Sequence, residues 1–198
     1  MTGDLYFIMV NAVTRKVKYP VVVIGSERVG KTSIINRYCK NVFEETYFAT
    51  LFSDLHIKRL VRNDIDVTLD IWDIGGQEQY KIDRKIYLPR AYVVIVVFAV
   101  DDVLSFMSLN EWMKEIKEFC KARPRMILVA NKIDLRCTDP NCIVTGQIEN
   151  EASNIGFDTV IETSALSGMN VAGLFDIVVE MCKDRPTFVQ PSFSVTNA

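Results

Sequence analysis

Tyr19-Pro-Val-Val-Val-Ile24-Gly25-Ser-Glu-Arg-Val-Gly30-Lys31-Thr32 joins a valine-rich run to an octapeptide of the form GxxxxGK[ST]. The β-branched run Tyr19–Ile24 predicts a strand, and Lys31–Lys40, with Ile34, Ile35 and Tyr38 at helical spacing, predicts a helix. A loop with a glycine at each end, set between strand and helix, can curl so that successive N–H groups point inward. The helix N-terminus adds its positive dipole end. Together these make a cradle for phosphate. Gly25, Ser26, Glu27, Arg28, Val29 and Gly30 supply its backbone, with Lys31 placed to reach β- and γ-phosphates and Thr32, beside Ser33, to ligand Mg²⁺. The loop alone does not distinguish adenine from guanine nucleotides.

Outward from this loop, apolar runs alternate with amphipathic stretches, which predicts βαβ units around a mainly parallel sheet. Ser53–Arg62 and Asp66–Asp73 read as a hairpin turning at Asn63-Asp64. A glycine-containing loop, a helix over Tyr80–Tyr87 and a buried strand over Ala91–Val100 follow. Val103–Lys121 predicts one long helix, its apolar residues repeating every three to four. Arg125–Asn131 and Asp158–Thr163 read as strands, with Gln147–Ile155 and Val171–Lys183 as helices. The expected organisation is an N-terminal extension (1–16, with an apolar Leu5–Val10 that adds an edge strand or covers the core), one domain (17–185), and a disordered tail (186–198).

Composition narrows the function classes. The 198 residues suit one α/β domain, and 49% hydrophobic against 24% charged residues is an ordinary globular balance. A net charge of −2 gives no electrostatic basis for nucleic-acid binding. Lys114, Lys117 and Lys121 share one helix face, either a solvated surface or a partner or lipid contact. The longest apolar run, Ala91–Val100, is about half what a membrane-spanning helix needs. Asp4 precedes Leu5–Val10 without a basic leader, which argues against a signal peptide. Five cysteines without CxxC spacing read as free thiols in a reducing compartment, although Cys137 and Cys142 flank a short turn that a bridge or metal would suit. One histidine, His56, in a strand-like stretch leaves little for a histidine-based triad.

Asn131-Lys132-Ile133-Asp134 follows a strand, at the sheet edge where open α/β folds bind ligands. A carboxylate at Asp134 accepts from both N1–H and the exocyclic amine of guanine. Adenine offers neither donor, so the wrong base leaves the carboxylate unpaired. The aliphatic stem of Lys132 is placed to cover a ring face.

In this order the motifs resemble the Ras superfamily of small GTPases, from about Tyr19 to Lys183. The resemblance implies a P-loop G domain with a six-stranded, mostly parallel sheet flanked by five helices. It adds Phe43 as an aromatic edge against guanine, and Thr50 as the threonine that ligands Mg²⁺ and senses the γ-phosphate. Asp73-Ile-Gly-Gly76-Gln77-Glu78 is similar to DxxGQE, in which the aspartate holds a Mg²⁺ water, the glycine amide meets the γ-phosphate and the glutamine orients the attacking water. Glu162-Thr-Ser164-Ala165-Leu166 resembles the motif whose amides touch guanine O6. Ile71-Trp72-Asp73, Tyr87-Leu-Pro-Arg-Ala91, Ser105-Phe106 and Trp112 look most like Rab proteins. The implied function is a GTP-hydrolysing switch, with Lys31, Thr50 and Gln77 carrying catalysis. An exchange factor, an activator and effectors would be its partners, in trafficking or signalling.

Several residues depart from the family pattern. Glu27 and Arg28 stand where small residues are usual. Glu27 either lies beside the γ-phosphate, slowing hydrolysis and obstructing Gln77 or an incoming arginine finger worth roughly 10³–10⁵ in rate, or swings outward to pair with Arg28. Blocked hydrolysis would leave a nucleotide-binding interaction module, the alternative function. Thr50-Leu-Phe-Ser-Asp-Leu55 differs from the usual Ile-Gly-x-Asp-Phe continuation, which alters the surface effectors read. Ser194-Val-Thr-Asn-Ala198 carries no prenylation cysteine. The expected location is cytoplasmic, with membrane association only through partners or a further segment.

Overall fold

The structure is a computed structural model that describes residues 15–46, 50, 53–62 and 65–183. The expected extension up to Thr14, the Asn63-Asp64 turn and the expected tail lie outside the described residues. Among the described residues the sheet has six strands: β1 (Arg15–Ile24), β2 (Asp54–Arg62), β3 (Ile65–Asp73), β4 (Val93–Ala99), β5 (Arg125–Asn131) and β6 (Thr159–Glu162). Their order is β2-β3-β1-β4-β5-β6. Only β2 and β3 pair antiparallel. From β1 the chain runs first to the β3 side and later to the β4 side, so the order reverses beside β1. The crevice at such a reversal is where open α/β sheets hold ligands.

Helices cover both faces. α1 (Lys31–Lys40) and α6 (Val171–Cys182) pack on one; α2 (Lys81–Tyr87), the pair α3 (Val103–Met107) and α4 (Leu109–Phe119), and α5 (Thr145–Ile155) lie on the other. Counting α3 and α4 as one broken helix gives five among the described residues. The central strands bury both faces, which accounts for their unbroken apolar runs. Val21 and Val23 join Ile35 and Phe175 in one core layer. Val22 and Ile24 join Leu109 and Ile116 in the other. Rings of Trp72 and Tyr87 stack at 4.1 Å.

Some boundaries differ from the sequence reading. β1 begins at Arg15, four residues earlier than expected, because Arg15–Lys18 continue the register against Ile65–Thr68. The long helix expected over Val103–Lys121 breaks at Ser108. The Ser108 hydroxyl donates to the Ser105 carbonyl (2.8 Å), accepts from Trp112 Nε1 (3.2 Å) and meets Ser26 Oγ at 3.0 Å. A serine side chain competing for backbone partners in this way bends helices. All five cysteines are free thiols. No helix among the described residues is long and apolar enough to cross a membrane.

Candidate functional site

The loops after β1, β3, β5 and β6 converge on a cavity of about 640 Å³, within the size range of small-molecule sites. Its floor is the Gly25–Gly30 loop. Gly25 has φ +138°, and a Cβ there would lie 2.0 Å from the Val97 carbonyl oxygen, so only glycine lets the chain leave β1 at this angle. Arg28 (φ 62°) adds a left-handed turn. Lys31, buried in the first turn of α1, donates to the carbonyls of Gly25 (2.9 Å) and Ser26 (2.7 Å). Burial lowers its pKa to about 8, with the Asp73 carboxylate pulling the other way.

Three oxygen-bearing side chains meet beside Lys31. Thr32 Oγ1 donates to Asp73 Oδ2 (2.5 Å) and lies 3.0 Å from Thr50 Oγ1. Asp73 is fully buried, and its Oδ1 has no partner among the described residues. Burial raises the Asp73 pKa, opposed by the Thr32 hydrogen bond and by Lys31. A buried carboxylate oxygen left over beside two hydroxyls suits a hard divalent cation that takes its remaining ligands from phosphate and water. The residues therefore fit Mg²⁺. Among the described residues no cluster of three or more His, Cys, Asp or Glu offers a metal site of another type.

At the other end of the cavity, Lys132 adopts a left-handed conformation (φ 65°), and a short 3₁₀ turn, Ile133–Cys137, carries Asp134. Ser164 Oγ donates to Asp134 Oδ1, and Lys132 Nζ lies 3.2 Å from Asp101. Asn131 ties three loops together. Its Nδ2 donates to the Val29 carbonyl (2.9 Å), while its Oδ1 accepts from Thr163 Oγ1 (3.1 Å) and the Ala165 amide (3.2 Å). The Ser164 amide is likewise taken, by the Met169 carbonyl. Ala165 and Leu166 line the cavity, whereas Ser164 sits behind them and holds Asp134.

Of the residues singled out from sequence, Glu27, Arg28, Gly30, Lys31, Thr32 and Ser33 line the cavity at the start of α1. Thr50, Gly76 and Gln77 close it from the β3 side, and Phe43, Lys132 and Asp134 line its far end. Gly25, Ser26, Val29 and Asp73 lie behind that lining as loop backbone and support. Phe43 packs against the core and lines the cavity. Glu27 Oε2 accepts from Gln77 Nε2 (2.9 Å), and Gln77 Oε1 accepts from Gln79 Nε2 (2.9 Å).

Sequence reasoning missed the residues that hold these loops. Arg37 donates to the carbonyls of Ala165 (2.9 Å) and Leu166 (2.7 Å), and its guanidinium carbon lies 5.9 Å from the Phe43 ring centroid. Its only local signal is a basic residue in a last helical turn, which reads equally well as a solvated end. Arg136 forks onto Glu162 (2.8 and 2.6 Å), and Thr145 donates to the same carboxylate (2.9 Å). This clamp fastens the Asp134 turn to β6 and α5. The Arg136 hydrogen bond lowers the Glu162 pKa, with burial opposing it. The carboxylate therefore adds stability above its ordinary range, and loses it as pH falls through its lowered folded value. Glu162→Gln is expected to cost about 1 kcal/mol at neutral pH. The gap to wild type should close in acid, as read by urea unfolding at both pH values.

Comparison with known proteins agrees with this geometry. A family model described as the Ras family matches residues 20–184. Ras-related protein Rab-3 of Caenorhabditis elegans is 32% identical over 168 residues, covering 84% of this chain and 75% of its own length. Ras-related protein Rab-1A of Dictyostelium discoideum is 30% identical over 177 residues, covering 89% and 86%. Human Ras-related protein Rab-3A is 29% identical over 167 residues, covering 84% and 74%. With the phosphate loop, the Thr32–Asp73 pair and the Asp134 turn opening on one cavity, the chain belongs to the Ras family of small GTPases.

Proposed function

We propose that this protein binds GTP and GDP with Mg²⁺, hydrolyses GTP slowly, and offers its switch loops to partners that read the bound nucleotide. The observation that carries this reading is that Lys31, Thr32, Thr50 and Asp134 converge on a single cavity, with Asp73 directly behind. Lys31 and the loop amides neutralise charge on the β- and γ-phosphates. Thr32 and Thr50, with Asp73 acting through a water, would hold Mg²⁺, which supplies charge neutralisation between the phosphates. Asp134 selects guanine, Phe43 and the Lys132 stem flank the ring, and Ala165 and Leu166 face O6. Gln77 orients the attacking water.

Slow turnover follows from Glu27. Both polar ends of the Gln77 side chain are engaged, the amide by Glu27 and the carbonyl by Gln79, so swinging the side chain to a new position over an attacking water breaks one or both bonds. A surface hydrogen bond is worth about 1 kcal/mol net, and the Glu27 charge adds repulsion toward a γ-phosphate at the cavity mouth. Glu27→Gly should then raise the single-turnover hydrolysis rate by about tenfold or more. Gln77→Leu should abolish that gain. Equal rates for wild type and Glu27→Gly contradict the assignment of Glu27. Tight GTP binding with no phosphate release from either protein favours the interaction-module reading. An exchange factor, a GTPase activator and effectors are the expected partner classes, in vesicle trafficking or signalling.

A further inference from the structure

The end of the cavity away from the phosphate loop has two walls that come from distant parts of the chain. One is Ala165-Leu166, after β6; the other is Phe43, three residues past the end of α1. Residues 41–46 belong to no helix or strand. Their backbone is tied to α1 by the Asn41 and Val42 amides, which donate to the carbonyls of Arg37 (3.0 Å) and Asn36 (3.5 Å). The Arg37 side chain touches both walls. Nε donates to the Ala165 carbonyl (2.9 Å) and Nη2 to the Leu166 carbonyl (2.7 Å). Nη1 makes two longer contacts, to the backbone and side-chain oxygens of Asn41 (both 3.5 Å). The guanidinium carbon lies 5.9 Å from the Phe43 ring centroid.

This arrangement sets the orientation of the 165–166 peptide from two sides. The Ala165 carbonyl and the Leu166 N–H belong to one planar trans unit and point in opposite directions. With the carbonyl held on Arg37, the Leu166 amide is turned away from the guanidinium, and Leu166 itself lines the cavity. From the opposite side, Asn131 Oδ1 accepts from the Ala165 amide (3.2 Å). The loop is thus fixed to β5 through Asn131 and to α1 through Arg37. A charged donor on a neutral carbonyl makes a stronger bond than a neutral pair. Arg37 is not among the residues that line the cavity, so it acts through the walls and does not touch the base.

We propose that Arg37 is a positioning residue that straps these two walls together and thereby slows the release of guanine nucleotide. One guanidinium serves both, so the walls are coupled. Drawing residues 41–46 outward with Phe43 frees the guanidinium to sample other rotamers, and the bonds to Ala165 and Leu166 then carry an added ordering cost. A partner acting on residues 41–46 therefore reaches the base loop without touching it. The phosphate end is held separately, by the Gly25–Gly30 loop with Lys31 and Thr32, so the chemical step in nucleotide still bound is unaffected. This inference rests on the GTP/GDP reading above and adds a residue to it.

Release of a fluorescent GDP analogue and of its GTP counterpart from the Mg²⁺-loaded full chain tests it, for wild type, Arg37→Gln, Arg37→Lys, Phe43→Leu and the Arg37→Gln/Phe43→Leu double variant. Gln and Lys have helix propensities close to that of Arg, so α1 is retained. Arg37→Gln should speed release of both nucleotides by about tenfold. Arg37→Lys keeps one charged donor without the fork and should speed it by about threefold, carrying the test if Arg37→Gln does not fold. In the Phe43→Leu background, Arg37→Gln should add only about threefold, because part of its effect passes through the ring. Single-turnover hydrolysis with protein in excess should stay within about twofold of wild type, which a general loosening of the domain would not allow. Release within about twofold of wild type in both Arg37 variants overturns the proposal. So does faster release matched by an equal fall in hydrolysis, or a full tenfold added in the Phe43→Leu background. Failure of wild type to bind either guanine nucleotide overturns this inference and the proposed function together; binding with unchanged release overturns the inference alone.

Discussion

Replacing Asp134 with alanine should weaken GTP and GDP binding by roughly 10²- to 10⁴-fold while leaving the weak affinity for ATP unchanged. The size follows from two hydrogen bonds to an ionised acceptor, each worth about 1.5–3 kcal/mol. The specificity follows from donors that adenine lacks. Ser164 Oγ already donates to one oxygen of the Asp134 carboxylate, which fixes its orientation before ligand arrives. Fixing the acceptor in advance removes an ordering cost from binding. The side chain is only partly buried, and Asn131 and Arg136 hold the surrounding turns independently. The variant should therefore melt close to wild type when neither carries nucleotide. Displacement of a fluorescent GDP analogue gives the affinity ratio; a change below about threefold would remove Asp134 from base recognition.

Lys31→Ala should reduce nucleotide affinity by about 10²- to 10³-fold and suppress hydrolysis in what remains bound. Lys31 is 6% exposed, and among the described residues its ammonium donates to the Gly25 and Ser26 carbonyls. Burial holds its pKa near 8, so at neutral pH it is a charged group in a poorly solvated place. A phosphate adds counter-charge to that of the nearby Asp73 and Glu27 carboxylates. Removing the charge takes away the phosphate partner, while the buried Asp73 keeps its hydrogen bond from Thr32, so loss of affinity should exceed loss of stability. Calorimetric titration with GDP and a parallel melting curve separate the two. A large drop in melting temperature with unchanged affinity would make Lys31 a support for the loop and no more.

The parts of the site that were legible in sequence are those whose chemistry is local. A glycine at each end of Gly25–Gly30 and the adjacent Lys31-Thr32 specify a phosphate loop because backbone curvature and reach are set within eight residues. Asp134 was legible for the same reason, sitting one turn beyond a strand end. What escaped is held by contacts between distant segments. Arg84 was invisible because α2 inverts the usual pattern, with isoleucines outside and a guanidinium inside, and apolar periodicity points to the wrong face. At the break, Ser108 also meets Ser26, 82 residues away, whereas the sequence from Val103 to Lys121 keeps a helical period throughout. Glu27 lay between: its charge near the γ-phosphate position could be anticipated from the loop, but its bond to Gln77 joins two loops 50 residues apart.

The central claim is that one cavity grips a diphosphate and chooses guanine. Thermal unfolding in Mg²⁺, with GTP, GDP or ATP in about a hundredfold excess over a micromolar dissociation constant, tests it most directly. Ligand that binds only the folded state adds about 2.7 kcal/mol at that excess. GTP and GDP should each raise the melting temperature by several degrees, with ATP leaving it unmoved. An equal rise with ATP, or none with any of the three, would contradict the account.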